Sequence, residues 1–287
     1  MAQARVAGAG DIDAICDFLH REMSAEIPVE SWRRLMTYEW LSVKPDFGSV
    51  IDDAGRIVCY LGVIYAERRC NGRSFTTGNL TSWYVARPYR QGGAAMDLLR
   101  ISTRRRNVAY TSFTSTAKAL PLLRLAGLRS LDDARYVWCR GAGPGTGPLK
   151  VVAGAEKIAP LLDSSQQRLV ADHAALPVRP YVLSAGADEC LVMLSVHEKA
   201  GGPARYDALY VGNPDVFTAN AQGFADAVLP AGPAELSVDS RFLDEGAAGG
   251  APQAIRVPRY YRPIPDLEPR DIDILYSEIQ LLDLTLW

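Results

Sequence analysis

The sequence predicts an α+β protein: a mixed, mostly antiparallel central sheet flanked by helices in its first half, followed by a second α+β half. Three observations carry that expectation. The 287 residues amount to about two ordinary domains. Long β-branched and aromatic runs joined by Asn71-Gly72, a strong hairpin signal, alternate with segments of helical spacing. A Gly/Pro-rich stretch at 141–149, too rich in breakers to form an element, reads as a linker between residues 1–140 and 150–287.

The composition excludes several classes. Apolar residues make up 48% and charged residues 22%, values of a well-cored globular chain rather than a disordered, collagen-like or coiled-coil one. No apolar run approaches the ~18–20 residues needed to span a bilayer, so no membrane partner is expected. Met1–Gly10 lacks an apolar core of signal-peptide length, and the expected location is the cytoplasm. Cys16, Cys59, Cys70, Cys139 and Cys190 are odd in number and widely spread, and His20, His173 and His197 are isolated. Neither a disulfide framework nor a metal site is therefore expected. No nucleophile-elbow pattern supports a Ser/His/Asp triad.

In order, Ala4–Ala9 reads as a short first strand. Asp11 caps a helix whose Ile12, Ile15, Cys16, Leu19 and Met23 fall on one face. Val29–Tyr38 is a second helix. Gly48–Ile51, Arg56–Arg68 and Phe75–Ala86 are strands. Ala94–Arg106 is a helix with Met96 and Leu99 inward, closed by Arg104-Arg105-Arg106 against its negative end. Val108–Thr116 is a strand, Ala117–Leu125 a short helix ended by Gly127, and Arg135–Arg140 a strand.

In the second half a helix is expected around Glu156–Asp172. Strands follow at Tyr181–Ser184, Cys190–Glu198 and Tyr206–Val211, the last two joined by Gly201-Gly202-Pro203. Pro214–Leu229 is a helix, Ala234–Ser240 a strand, Gly246–Pro252 a loop, and Pro269–Leu284 a final helix with an Ile272, Leu275, Ile279, Leu282 stripe.

Net charge is −2, but residues 1–150 carry 21 Lys+Arg against 14 Asp+Glu, whereas residues 151–287 carry 10 against 19. Basic charge gathered in one half suggests an anionic ligand there, unless it only reflects the Arg-rich composition. The Arg-rich runs have no aromatic pattern around them, and nucleic acid is not expected as a partner.

The segment Val85-Ala-Arg-Pro-Tyr-Arg90-Gln-Gly-Gly93-Ala-Ala95 decides between these readings. A strand runs into a glycine turn that opens a helix. Backbone N–H groups are free at a helix start, and the helix dipole favours negative charge there. The segment is neither a P-loop nor a G-x-G-x-x-G turn.

Arg90-x-x-Gly93-x-Ala95, with Tyr89 before it and Val85 five residues upstream, resembles the phosphate-binding loop of the GNAT superfamily of acyl-CoA-dependent N-acyltransferases. The order of elements from about residue 4 to 140 resembles that family as well. The resemblance implies that amides around Gln91, Gly92, Gly93, Ala94 and Ala95 hold the CoA pyrophosphate, with Arg90 ordering the loop. It implies that the backbone of Trp83, Tyr84 and Val85 pairs with the pantetheine arm, and that Val108–Thr116 splays away to leave a slot for donor and amine. Acyl-CoA, acetyl-CoA among others, is the implied co-substrate, and a small-molecule amine the implied acceptor.

The sequence departs from the family at its proton-transfer positions. Asn79 stands where many members have a Glu base, Leu123 where many have a Tyr acid, and Thr116 where an Asn often opens the helix. A proton must still leave the attacking amine. The nearby candidates are Asn79, Ser82, Tyr84 and Tyr110, together with Thr81 and Ser112, positioning a water chain. The alternative is one acid from the second half, such as Asp239, Asp271 or Glu278.

The second half repeats the pattern of two strands, a glycine turn, a helix and a strand, with helix starts about 120 residues apart. A degenerate GNAT-like unit that has lost CoA and an unrelated α+β cap are both open readings. Two functions are carried forward. One is an N-acyltransferase acting on an amine of a small metabolite, an amino sugar being one candidate. The other is a catalytically weak or inactive GNAT-like protein that binds acyl-CoA or regulates.

Overall fold

Extended runs and helical stripes resolve into twelve strands and eight α-helices among the described residues of the computed structural model, which are 3–70, 72–142, 149–198, 202–244 and 249–286. In chain order they begin β1 (Gln3–Val6), α1 (Ile12–Glu22), α2 (Val29–Thr37), β2 (Ser49–Asp53), β3 (Arg56–Cys70), β4 (Arg73–Val85), α3 (Ala94–Ser102), β5 (Val108–Ser112), α4 (Leu120–Leu125) and β6 (Arg129–Cys139). They continue β7 (Lys150–Ala153), α5 (Ala155–Ile158), α6 (Ser164–Asp172), β8 (Val178–Ala185), β9 (Asp188–His197), β10 (Ala204–Val211), α7 (Pro214–Val228), β11 (Ala234–Asp239), β12 (Ala251–Tyr261) and α8 (Glu278–Leu281). Asn71, Gly201, the 143–148 part of the linker and 246–248 of the expected loop lie outside the described residues.

Two compact units divide the chain. The first takes residues up to Ser130 with Arg259–Glu268 and Tyr276–Leu284; the second takes Leu131–Pro258, Pro269–Leu275 and the residues from Thr285 on. In the first unit the strand order is β1-β2-β3-β4-β5, with the end of β12 beyond β5. Only β4 and β5 run parallel, over Thr76–Asn79 and Val108–Thr111, and Tyr260 and Tyr261 add antiparallel to Ser112 and Thr111. Side chains alternate across β3 as a strand requires. Cys59, Leu61, Val63 and Tyr65 join Leu98 and Leu99 of α3 and Leu123 near α4's end in one core. Helices α1 and α2 also pack against β3.

Gly78 is a strand glycine in this core whose replacement has a clear cost. A Cβ there would meet the Tyr110 ring at 2.9 Å and Val108 Cγ1 at 3.0 Å. Gly78→Ala is expected to destabilise the first unit by about 1–3 kcal/mol through overpacking, read by chemical unfolding.

The second unit has strand order β6-β11-β10-β9-β8-β7. Its one parallel pair is β10 with β11, over Ala204–Asp207 and Ala234–Ser237. Helix α7, entered at Asn213 whose side chain accepts from the Val216 N–H, packs Phe217, Ala221, Phe224 and Ala225 with Trp138, Val192 and Leu236. Each sheet thus joins its parallel pair through one helix, α3 or α7, and each takes its last strand from elsewhere in the chain. β6, which follows α4, lies beside β11, and the end of β12 lies beside β5.

Several elements differ from expectation: the helix expected around Glu156–Asp172 is divided into α5 and α6 by a 3₁₀ turn at Ala159–Leu161, where Pro160 and the Asp163 cap interrupt it, and the strand expected over Val108–Thr116 ends at Ser112. The helix expected over Pro269–Leu284 is a single 3₁₀ turn at Pro269–Asp271, irregular chain with bends, and the short α8. An amphipathic stripe needs a solvated opposite face, but Ile272, Asp273, Ile274, Leu275, Tyr276 and Ser277 are all buried, so no solvated face exists for a helix here. Strand β12 contains Pro252 and Pro258, residues that mask a strand signal. Helix α3 stops at Ser102 rather than Arg106, with the Thr103 hydroxyl donating to the Leu99 carbonyl at 2.7 Å. Arg104 still donates to the Ile101 carbonyl at the end of α3 at 2.8 Å, and Arg104 and Arg105 both also pair with the buried Asp46 carboxylate at 2.6 and 3.4 Å.

Candidate functional site

The site grows from the divergence of β4 and β5. Their parallel pairing ends at Asn79 and Thr111, after which β4 runs on to Val85 while β5 ends at Ser112. The edge of β4 beyond Asn79 is therefore not paired with β5. At that point β4 also bulges: Tyr84 faces Tyr60 and Thr81 faces Gly62, so Ser82 and Trp83 together oppose Leu61. Ser82 takes the left-handed backbone, φ 50°, that lets the extra residue fit.

A cleft of about 500 Å³ opens along this edge. Ser82, Trp83, Tyr84, Val85, Arg90 and Ala95 line one side, Leu61 and Leu80 also contribute, and Ser112, Thr114, Ser115, Thr116 and Lys118 line the other. Arg90 donates from Nε to the Val85 carbonyl at 3.0 Å, and its guanidinium lies 5.6 Å from the Tyr84 ring centroid, tying the turn back to the strand. Gly92 and Gly93 follow with φ of 102° and 90°, and Gly93 is the N-cap of α3. Among the described residues nothing lies within 4 Å of a Cβ added on either glycine, so each side of the turn that a side chain would take is open. The first intrahelical bond runs from Asp97 N–H to the Gly93 carbonyl, which leaves Ala94, Ala95 and Met96 as the first-turn donors.

Of the expected site residues, Ser82, Trp83, Tyr84, Val85, Arg90 and Ala95 share this cleft. Gln91, Gly92, Gly93 and Ala94 form the turn and helix start beside it. Asn79 is buried below the point of divergence, donating from Nδ2 to Thr111 Oγ1 at 3.2 Å. Tyr110 sits in the hydrophobic core under the Arg262 guanidinium, and burial raises its phenol above the ordinary range.

Two residues that were not expected, Lys118 and Thr114, enter from the geometry, and of the alternative acids Glu278 joins them. Lys118 and Thr114 line the cleft from the connection between β5 and α4. Glu278, 199 residues from Asn79, donates its backbone N–H to Asn79 Oδ1 at 3.3 Å and accepts from Thr114 Oγ1 at 2.6 Å. Its side chain is buried, and desolvation pushes the carboxyl up to about 7 against the opposing pull of the Thr114 hydroxyl and the Arg259 charge. Lys118 and Thr114 carry no spacing signal. Glu278 was legible only as one acidic residue among several, since Asp239 and Asp271 fall in the second unit.

In the second unit β10 and β11 diverge in the same way beyond Asp207 and Ser237, and β10 also bulges, at Leu209. There the Leu209 carbonyl accepts from the Ile274 N–H at 2.9 Å. Ile272 and Ile274 are buried, and the Ile272 carbonyl accepts from Arg241 Nε at 2.7 Å.

Among the described residues no helix is long and apolar enough to cross a membrane, and no group of three or more His, Cys, Asp or Glu side chains is placed to hold a metal ion. No protein-family model matches the chain, and no curated protein sequence does. Solved structures do match in shape. A GCN5-related N-acetyltransferase from Anabaena variabilis superposes with a TM-score of 0.57 at 12% identity, over 91% of this chain and 72% of that one. Eis1 from Mycobacterium abscessus gives 0.54 at 13% identity, over 91% and 73%. A GCN5-related N-acetyltransferase from Kribbella flavida gives 0.52 at 14%, over 91% and 70%.

Proposed function

The chain has the fold of the GCN5-related N-acetyltransferases, and from that premise we propose that its first unit is an acyl-CoA-dependent N-acyltransferase. It would transfer an acetyl or other acyl group to an amine of a small metabolite, an amino sugar being one acceptor class to test. One observation carries the reading: the bulged edge of β4 leads directly into the Arg90-x-x-Gly93-x-Ala95 turn, and both border one cleft.

The chain's own residues would divide the work as follows. The N–H groups of the turn and of α3's first turn bind the pyrophosphate, aided by the helix dipole. The backbone of Trp83–Val85 receives the pantetheine arm as an added strand would be received. Arg90 and Lys118 supply positive charge within the cleft. When bound, acyl-CoA supplies the activated carbonyl. Ser82 and Tyr84 are polar groups on the same wall and can orient a water or the amine. The second unit is read as a GNAT-like unit that does not bind CoA, because its own Ile274 occupies the bulged edge of β10. The location consistent with this role is the cytoplasm.

A second reading, acyl-CoA binding without turnover, is favoured by Asn79 and Leu123, neither of which titrates. Calorimetry with CoA, followed by thiol release from acetyl-CoA over a panel of primary amines, separates the two. CoA binding with thiol release supports the enzyme; binding without release supports the second reading; no binding refutes both. Asn79→Ala is expected to lower turnover by about tenfold or less, measured by the same thiol release, because Asn79 positions groups but takes no proton.

A further inference from the structure

We propose that Glu278 is the terminal proton acceptor for amine acylation in the cleft of the first unit, reached through the Thr114 hydroxyl; this rests on the acyltransferase reading above. Thr114 lines the cleft and donates to Glu278 Oε1 at 2.6 Å, so a single hydroxyl connects the carboxylate to the place where an amine would sit.

The other oxygen, Oε2, is buried and has no hydrogen-bond partner. A carboxylate buried for structure alone is ordinarily saturated with donors. Asp132 in the second unit is such a case, accepting from the Ser240 hydroxyl, the Arg241 backbone N–H and the Arg241 guanidinium. Glu278 instead keeps one lone-pair set free, at the cost of desolvation.

The position of Glu278 is held from three sides. Ser277 caps α8, its side chain accepting from the Ile279 N–H at 3.4 Å, while the Ser277 N–H donates to Gln280 Oε1 at 3.0 Å. Asn79 Oδ1 takes the Glu278 N–H. The preceding Tyr276 ring packs edge-on against Trp40 at 5.1 Å. The groups acting on the carboxyl are the Thr114 hydroxyl from the β5–α4 connection, the backbone N–H of Glu278 itself and the Arg259 charge from β12. With Arg259 the only charge among them and burial the larger influence, the carboxyl titrates close to neutrality, where a general base is most effective.

The amine nitrogen forms a C–N bond to the thioester carbonyl carbon. Its proton passes to Thr114 Oγ1 as the hydroxyl's own hydrogen moves to Glu278 Oε1. The C–S bond breaks and its electron pair leaves with sulfur. The proton then returns from Glu278 through the same hydroxyl to the thiolate or to solvent.

The test uses the whole chain. CoA affinity of the wild type is measured first by calorimetry, and failure to bind refutes the acyltransferase reading itself. Glu278→Gln is expected to bind CoA as the wild type does, to lose roughly 10²–10³-fold in kcat, and to lose the rising limb of kcat/KM near pH 7. Thr114→Val is expected to lose the same limb while leaving Glu278 in place. Independently of turnover, carbon-13 spectra of glutamate-labelled protein are expected to show one carboxyl, absent in Glu278→Gln, titrating at about 7. A folded, CoA-binding Glu278→Gln with wild-type rate and pH profile overturns the proposal, as does a Glu278 signal titrating in the ordinary carboxylate range. Should Glu278→Gln fail to fold, the Thr114→Val profile and the carboxyl titration decide.

Discussion

Gly93→Glu is expected to weaken CoA binding by more than about 100-fold, or by roughly 2.7 kcal/mol and more, with the fold retained. Gly93 caps α3 and borders open space, so the new side chain would extend over the anion-ready turn. Its carboxylate would compete for the first-turn N–H groups and repel a pyrophosphate. Gly93 also holds a left-handed backbone with φ 90°, where any side chain costs about 1–2 kcal/mol. Gly93→Ala carries that strain without the charge and is the control. Calorimetry that finds the Glu variant folded and binding CoA like the Ala variant would remove the basis of the anion-site reading.

Arg241→Ala is expected to cost the second unit about 3–5 kcal/mol. The guanidinium is buried between the carboxylates of Asp132 and Asp239, the latter at 2.8 Å, and also donates to the Ile272 carbonyl. Removing it leaves two buried carboxylates with no countercharge from this residue. Burial already raises the Asp132 pKa, and the Arg241 charge is the main force opposing it. Without Arg241 the folded-state carboxyls bind protons more tightly still, so the loss of stability grows as pH rises and shrinks towards acid. Unfolding is to be followed by a probe within the second unit, because two units need not unfold together. A loss below about 1 kcal/mol at neutral pH would show that the ion cluster contributes no more than a surface pair.

The anion-ready turn was legible because its signals are local. Tyr89-Arg90, the two glycines and the helix spacing after them lie within one short stretch, and a helix start presents its donors whatever surrounds it. The two strands leading into the turn were legible for a similar reason: Arg56–Arg68 is a continuous run rich in Val, Ile, Tyr and Leu, and the Asn71-Gly72 hairpin signal turns it into Phe75–Ala86. The final segment was not. Ile272, Leu275, Ile279 and Leu282 repeat with helical spacing, but the residues between them are buried too. A pattern in one dimension records which side chains are apolar, not how many sides of the chain are covered.

The sequence by itself therefore determined the elements whose hydrogen bonds and apolar faces are specified by near neighbours: the long strands, helices α1, α3 and α7, and the glycine turn after β4. Only the tertiary structure decided which strand closes each sheet, which acidic residue reaches the cleft, and what becomes of the second unit's bulged edge. Tyr260 and Tyr261 pair with β5, Ile274 bonds the Leu209 carbonyl in the second unit, and Glu278 meets Thr114 and Asn79 in the first. Each of these contacts joins residues more than sixty positions apart. Their geometry is set by which buried donors and acceptors still need partners once the local elements have packed, a condition that no short stretch of the chain contains.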